Sequence, residues 1–216
     1  MYKSIYEYGE DEFIVKKSRF IGYAKPCETE ADAIAFIDEI KKKHYDATHN
    51  CSAYIIGENS NIQRFNDDGE PSGTAGIPMI EVLKKEGLTN LCVVATRYFG
   101  GVMLGAGGLV RAYSKSCKIA IDNGIVVDME LFYDAKFKYD YSYHGKIMNY
   151  LDSKNIKIGN IDYQDFVYLN IKVYNSIFES VVADLDNITS AEIELVDKNE
   201  IILATRDGEL MEGKND

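Results

Sequence analysis

The hydrophobic pattern of the chain changes near Asp134, and this change constrains the fold more than any other feature. Before it, strand-like and helix-like segments alternate. After it, the order is strand, helix, strand, strand, helix, strand. We therefore expect two domains, residues 1–133 and residues 134–207, followed by a frayed polar tail at 208–216.

The first domain is expected to be a mixed α/β unit. Strands are predicted at residues 13–23, 50–56, 62–65 and 91–96. The last of these, Leu91-Cys-Val-Val-Ala-Thr96, is apolar without alternation, which is typical of a strand covered on both faces. Helices are predicted from Thr29, which forms a capping pair with Asp32, from Pro78 to Gly87, and from Gly108 to Gly124.

The second domain carries the period-two alternation of half-buried strands. Strands are predicted at residues 135–141, 156–163, 167–174 and 191–196, with one helix around Ile147–Leu151 and another capped by Ser176 and Glu179. The resulting βαββαβ order is the ferredoxin-like arrangement. The fold class predicted for the whole chain is therefore α+β.

Charge and composition limit the possible partners. Asp and Glu number 35 against 24 Lys and Arg, so the net charge of -11 argues against general coating of nucleic acid or anionic membrane, but not against one basic face. Neither a signal peptide nor a membrane span is recognisable, so we expect a cytoplasmic protein. Its four cysteines lack any paired motif and are expected to be reduced and partly buried.

An acid-free segment runs from Gly87 to Ile121 and contains four cations and a glycine-rich loop. Glycines at a helix start let backbone amides approach an anion at the positive end of the helix dipole. We therefore predict an anion- or RNA-binding site formed by Arg97, Gly100, Gly101, Gly105, Gly107, Gly108, Arg111, Lys115 and Lys118. The alternative is a packing turn followed by a solvated basic face. Neither the P-loop nor the dinucleotide fingerprint is present, and no cofactor is expected.

A second polar segment, Asp67-Asp-Gly-Glu-Pro-Ser-Gly-Thr74, is a possible substrate loop. Its candidate residues are Asp67, Asp68, Glu70, Ser72 and Thr74. The same residue types form turns, so a specialised loop conformation is favoured over a metal site. His49 and Cys51 suggest a base and a nucleophile, yet a packed thiol and a structural imidazole are favoured over them. Catalysis is not expected, although the sequence leaves it open.

Four segments occur here in one order: Lys17-Ser-Arg-Phe-Ile21, His49-Asn-Cys-Ser-Ala53, Asp67–Gly76 and Arg97–Tyr113. Together they resemble the IMPACT family in its bacterial YigZ-type branch. The resemblance implies a first domain similar to domain IV of elongation factor G and a second similar to its domain V. Eukaryotic relatives regulate translation through an additional N-terminal module, so their mechanism does not transfer to this chain.

Three functional hypotheses follow. The first is a translation-associated binding protein that contacts RNA or a ribosome-associated partner through the basic glycine-rich face. The second is an enzyme for a phosphorylated or carboxylated small molecule, bound at the same loop. The third is a protein-only adaptor that uses the acidic second domain. The sequence does not fix the oligomeric state.

Overall fold

The computed structural model describes residues 1–211 and forms two compact units. The first is Met1–Met129 together with Ala204–Glu209, and the second is Glu130–Leu203 together with the described residues from Leu210 onward. In the tail expected to be frayed, Glu209–Leu210 forms a short strand. Residues 212–216 of the expected tail lie outside the described residues.

The strands of the first unit are β1 (Tyr2–Ile5), β2 (Gly9–Val15), β3 (Ser18–Pro26), β4 (His49–Ile56), β5 (Ile62–Asn66) and β6 (Leu91–Tyr98). Its helices are α1 (Glu30–Lys43), α2 (Gly76–Glu86) and α3 (Ala106–Asn123). A long strand, β7 (Val126–Tyr139), follows, and β1 pairs antiparallel with its residues 126–129. The strand β1 had no counterpart in the sequence prediction.

Five strands form an antiparallel sheet in the order β2-β3-β6-β4-β5. Helices α2 and α3 pack on one face, through a core that includes Met79, Leu83 and Tyr113. Helix α1 packs on the other face through Phe36 and Ile40. The central strand β6 therefore has apolar neighbours on both sides, which confirms the reading of its unalternated sequence.

The segment predicted as one strand over residues 13–23 is a hairpin. Lys16 and Lys17 form a two-residue turn between β2 and β3, with φ values of 46° and 65°. Positive φ at both turn positions is the geometry whose twist matches an antiparallel pair. Asparagine and glycine usually occupy such positions, so two lysines gave no turn signal in the sequence.

Helix α3 lies unusually close to the sheet at Gly22. An ideal Cβ built on Gly22 would lie 2.1 Å from the carbonyl oxygen of Ser116, which belongs to the backbone of α3. At Gly107, in the first turn of the same helix, an added Cβ would meet no atom within 4 Å. Gly22 therefore permits the close packing of helix on sheet that positions α3.

Two of the helix ends have the capping interactions that their neighbouring residues predict. Thr29 and Asp32 form both bonds of the predicted capping box, and Gly87 ends α2 in the left-handed conformation, with φ of 69°. The predicted cap at Ser176 is wrong. A single 3-10 turn, Asn175–Ile177, leads into α5 (Phe178–Thr189) without a side-chain cap.

The second unit has the ferredoxin-like arrangement that the sequence predicted. It contains part of β7, then α4 (His144–Ser153), β8 (Lys157–Tyr163), β9 (Val167–Tyr174), α5 and β10 (Glu194–Arg206), with strand order β10-β7-β9-β8. Phe137, Leu151 and Leu185 belong to its core. The last strand starts later and runs farther than the predicted 191–196. Its end, from Ala204, groups with the first unit, where the Thr205 hydroxyl donates to the Asp128 carbonyl at 3.3 Å.

Candidate functional site

A buried charged network links three segments of the first unit. Glu70 Oε1 accepts hydrogen bonds from Arg97 Nη1 at 2.7 Å and from the Tyr113 hydroxyl at 2.6 Å. The Glu70 and Arg97 side chains are only 2% and 7% exposed. The Arg97 guanidinium also lies over the rings of Phe20 and Phe99. Because the two charges neutralise each other away from water, this pair is structural, and removal of either partner alone would leave an uncompensated buried charge.

The network continues to the β2–β3 hairpin through Ser18. Arg97 Nη2 lies 3.5 Å from Ser18 Oγ, which also accepts from the backbone amide of Gly100 at 3.2 Å. At Gly100, an ideal Cβ would lie 2.0 Å from the Lys17 carbonyl oxygen, so only glycine fits there. The start of the glycine-rich loop and the lysine turn are thereby held together.

Asp67 organises the segment predicted as a substrate loop. Its carboxylate accepts from the backbone amides of Gly73 at 2.8 Å, Ala75 at 3.1 Å and Gly76 at 2.7 Å. The last of these is the first residue of α2, whose own N-cap residue provides no side-chain bond. Asp67 therefore accepts hydrogen bonds from the free amides at the start of α2, although it lies several residues before the helix.

The other members of the loop are also used internally. Asp68 accepts from the amide of Asn50 at 2.7 Å and pairs with Lys41 at 2.9 Å. Thr74 donates to the Pro71 carbonyl at 2.7 Å, and Ser72 is exposed. These contacts describe a fixed loop conformation, the reading that the sequence favoured over a metal site. No group of three or more metal-ligating side chains occurs among residues 1–211.

Cys51 and His49 do not form a nucleophile–base pair. The Cys51 thiol is fully buried and donates to the Asp67 carbonyl at 3.0 Å. Burial, reinforced by the negative charge of Glu70, raises the pKa of Cys51 to about 12. A thiol with that pKa stays protonated near neutral pH and is a poor nucleophile. His49 Nδ1 instead contacts the Asp68 carbonyl oxygen at 2.8 Å.

The glycine-rich loop reaches α3 through two residues with positive φ, Gly101 at 80° and Gly105 at 72°. Gly107 and Gly108 lie in the first turn of the helix, and no side chain caps its start. The loop is exposed, and Phe99 and Met103 on it are 47% and 83% accessible. The start of α3 therefore lies next to an exposed loop that carries large apolar side chains.

A cavity of about 320 Å³ lies between β2 and α3. It is lined by Phe13, Ile14, Val15, Lys16, Leu104, Gly108, Arg111, Ala112 and Lys115. Three of these residues are cations, and none is acidic. Within the part of the chain that the structure describes, Lys16, Arg111 and Lys115 form no ion pair with a carboxylate. The Lys115 amino group lies 4.2 Å from the centre of the Phe13 ring.

The structure places the four predicted cations in different surroundings. Arg97 is buried and neutralised by Glu70, so it presents no charge to a ligand. Lys118 pairs with Glu86 at 3.2 Å and with Asp122 at 2.8 Å. Those two acids lie directly outside the acid-free segment, which explains why counting charges inside it overestimated the free cations. Arg111 and Lys115 remain as unpaired members of the predicted set.

Two cations of this surface were missed. Lys16 lines the cavity, and Lys17 is the next residue of the exposed hairpin turn. They lie about ninety positions before α3 in sequence, so helical spacing gave no signal for them. We define the cationic face as Lys16, Lys17, Arg111 and Lys115. None of the helices described in residues 1–211 is long and apolar enough to cross a membrane.

Comparison with known proteins matches both units. The family model for the Impact N-terminal domain matches residues 16–121, and that for a domain of unknown function, DUF1949, matches residues 137–192. A solved structure described as a hypothetical protein is 31% identical, with a TM-score of 0.58, over 90% of this chain and 95% of that one.

Curated relatives extend over most of the chain. IMPACT family member YvyE of Bacillus subtilis is 47% identical over 86% of this chain and 87% of its own length. IMPACT family member YigZ of Escherichia coli is 33% identical over 84% and 90%, respectively. The segments that build the Glu70–Arg97 network are those through which the sequence resembles this group. With both units matched and relatives covering most of its length, the chain belongs to the IMPACT family.

Proposed function

We propose that this protein binds RNA through the cationic face, as a translation-associated binding protein. The observation that carries the proposal is the convergence of Lys16, Arg111 and Lys115 on one acid-free cavity. The chain as a whole has a net charge of -11, so a patch of unpaired cations is a local departure from its average. Phosphate groups are the ligands for which such a patch provides attraction.

The geometry around the cationic face supports the same chemistry. The glycine-rich loop brings the uncapped start of α3 next to the cations, where the helix dipole adds attraction for an anion. Phe99 is exposed on the same loop and offers a planar surface for a base. The link to translation comes from the resemblance to domains IV and V of elongation factor G.

Reversing two charges tests this function. We expect Arg111→Glu with Lys115→Glu to weaken binding of a labelled RNA, with a hairpin and single-stranded ends, by about tenfold or more. The slope of log affinity against log salt should become shallower by roughly 1.4 to 1.8, because two phosphate contacts are lost. Fluorescence anisotropy between about 50 and about 200 mM salt measures both quantities.

The matched control is Lys42→Glu with Lys85→Glu, which changes the net charge equally at two exposed lysines outside the cationic face. It should leave the affinity within about twofold, and both double variants should unfold within about 1 kcal/mol of the parent. Equal weakening by both variants would show a general charge effect and contradict the site. Co-sedimentation with ribosomes at low salt tests the association with translation.

The other hypotheses predict different results. Stabilisation by small phosphorylated or carboxylated compounds at constant ionic strength, without RNA binding, would favour the enzyme. Capture of a basic protein in the absence of RNA would favour the adaptor.

A further inference from the structure

The residues lining the cavity between β2 and α3 are of two chemical kinds. Phe13, Val15 and Leu104 are partly buried apolar side chains that pack against the core of the first unit. Lys16 and Arg111, together with Lys115, are exposed cations. A ligand that satisfies the whole lining therefore needs an apolar part and an anionic part within one small volume.

We propose that this cavity holds one unstacked nucleotide of a single-stranded RNA segment, with the base against the apolar lining and the phosphate at the cations. The proposal rests on the RNA-binding function and names the form of RNA that the site takes. An inorganic anion would leave Phe13, Val15 and Leu104 in contact with water. A purely apolar ligand would leave three cations without an anionic partner.

The size of the cavity favours a nucleotide over a duplex. Its volume of about 320 Å³ lies near the lower end of the range for small-molecule sites. A duplex keeps its bases stacked inside and is recognised by shape, through hydroxyl and phosphate contacts spread over many base pairs. Bases in single strands can leave the stack and enter a pocket.

The surrounding residues keep the apolar lining in place. Phe13 stacks on Phe20 with ring centres 5.4 Å apart, and Phe20 contacts Tyr113 edge to face at 5.4 Å. On the helix side, Gly108 and Ala112 lie one turn apart and leave space between α3 and β2. At Gly108 an added Cβ would lie 2.9 Å from Leu104 Cβ, so a larger residue there would displace the cavity wall.

Arg111 is suited to contact both the base and the phosphate of a bound nucleotide. A guanidinium binds a phosphate with two parallel hydrogen bonds and stacks on planar rings, whereas an ammonium group acts as a point charge. Lys16 and Lys115 would supply that simpler attraction. Arg111→Lys should therefore weaken binding of a single-stranded RNA although the charge is unchanged.

The test compares three probes that carry equal numbers of phosphates. They are an unstructured single strand, the same strand with all of its bases removed, and a short blunt-ended duplex. We expect the intact single strand to bind at least about fivefold more tightly than either of the others, because base contacts of this kind are worth about 1 kcal/mol or more. Suppose that all three probes bind equally and that their affinities fall with salt as phosphate contacts require. That result would overturn the nucleotide proposal but not the RNA-binding function. Absence of binding by every probe would overturn both.

A pair of variants tests whether the base binds in the cavity. Leu104→Ala removes part of the apolar lining and should reduce the preference for the intact strand over the abasic strand without changing the salt slope. Met103→Ala is the control, because Met103 is the adjacent residue, is 83% exposed and does not line the cavity. If Leu104→Ala folds and keeps the full preference for a base, the cavity is not where the base binds.

Discussion

Replacing Glu70 by alanine is expected to lower the free energy of unfolding by about 3 to 5 kcal/mol, the range for breaking a buried ion pair from one side. The change leaves the Arg97 guanidinium, 7% exposed, without its carboxylate, and removes the acceptor of the Tyr113 hydroxyl. Because Arg97 also approaches Ser18, the lysine turn and the glycine-rich loop should lose part of their support. Urea unfolding, followed by circular dichroism, measures the change.

Two further variants test whether burial of the Glu70–Arg97 pair explains this loss of stability. Glu81→Ala breaks the exposed pair of Glu81 with Lys84, 3.0 Å apart, and should cost less than about 1 kcal/mol. The double change Glu70→Leu with Arg97→Met removes both buried charges and should destabilise the protein less than Glu70→Ala alone. A loss below about 1 kcal/mol for Glu70→Ala would show that water reaches the pair and would contradict its structural role.

Replacing Gly22 by alanine is expected to destabilise the protein by about 3 kcal/mol, the upper part of the usual range for overpacking. The new methyl group would meet the backbone carbonyl of Ser116, which has no rotamer by which to avoid it. Relief therefore requires α3 to move away from the sheet. Thermal and urea unfolding measure the loss, and a tolerated substitution would show that the contact between helix and sheet is loose.

The control for this prediction is a glycine in α3 itself. Gly107→Ala places a methyl group in open space at a helical position and should stabilise the protein by about 0.4 to 1 kcal/mol, because alanine restricts the unfolded chain. The two glycine substitutions are thus expected to have opposite signs. Similar destabilisation by both would mean that the backbone at Gly107 does not tolerate alanine, and the comparison would then fail.

Sequence patterns predicted those parts of the fold that depend on local chemistry. Residues close together in sequence determine three such features: the alternation in β7 and β9, the capping box of Thr29, and the glycine that ends α2. The hairpin at Lys16 and Lys17 was not predictable, because pairing of β2 with β3 imposes positive φ on residues that give no turn signal. The extent of β10 depends likewise on pairing with distant strands rather than on its own alternation.

The candidate site was predictable only in part, for a similar reason. The acid-free segment and helical spacing led to Arg111 and Lys115. Whether a cation is free, however, depends on residues that the fold brings near it. Glu70 reaches Arg97 from a loop between β5 and α2, and Glu86 reaches Lys118 from the end of α2. Charge counts along the chain do not contain these distances.

Under the proposed RNA-binding function, the lysines of the β2–β3 turn contribute to binding but reduce stability, because their φ values are positive. A left-handed conformation costs a non-glycine residue roughly 1 kcal/mol or more, so Lys16→Asn with Lys17→Gly should relieve strain and stabilise the protein by about 1 kcal/mol. The same double variant removes two of the four cations of the cationic face and should bind RNA more weakly. Unfolding and RNA titration of one preparation would test this trade-off, and a gain in stability together with weaker RNA binding would support the proposed role of the lysines.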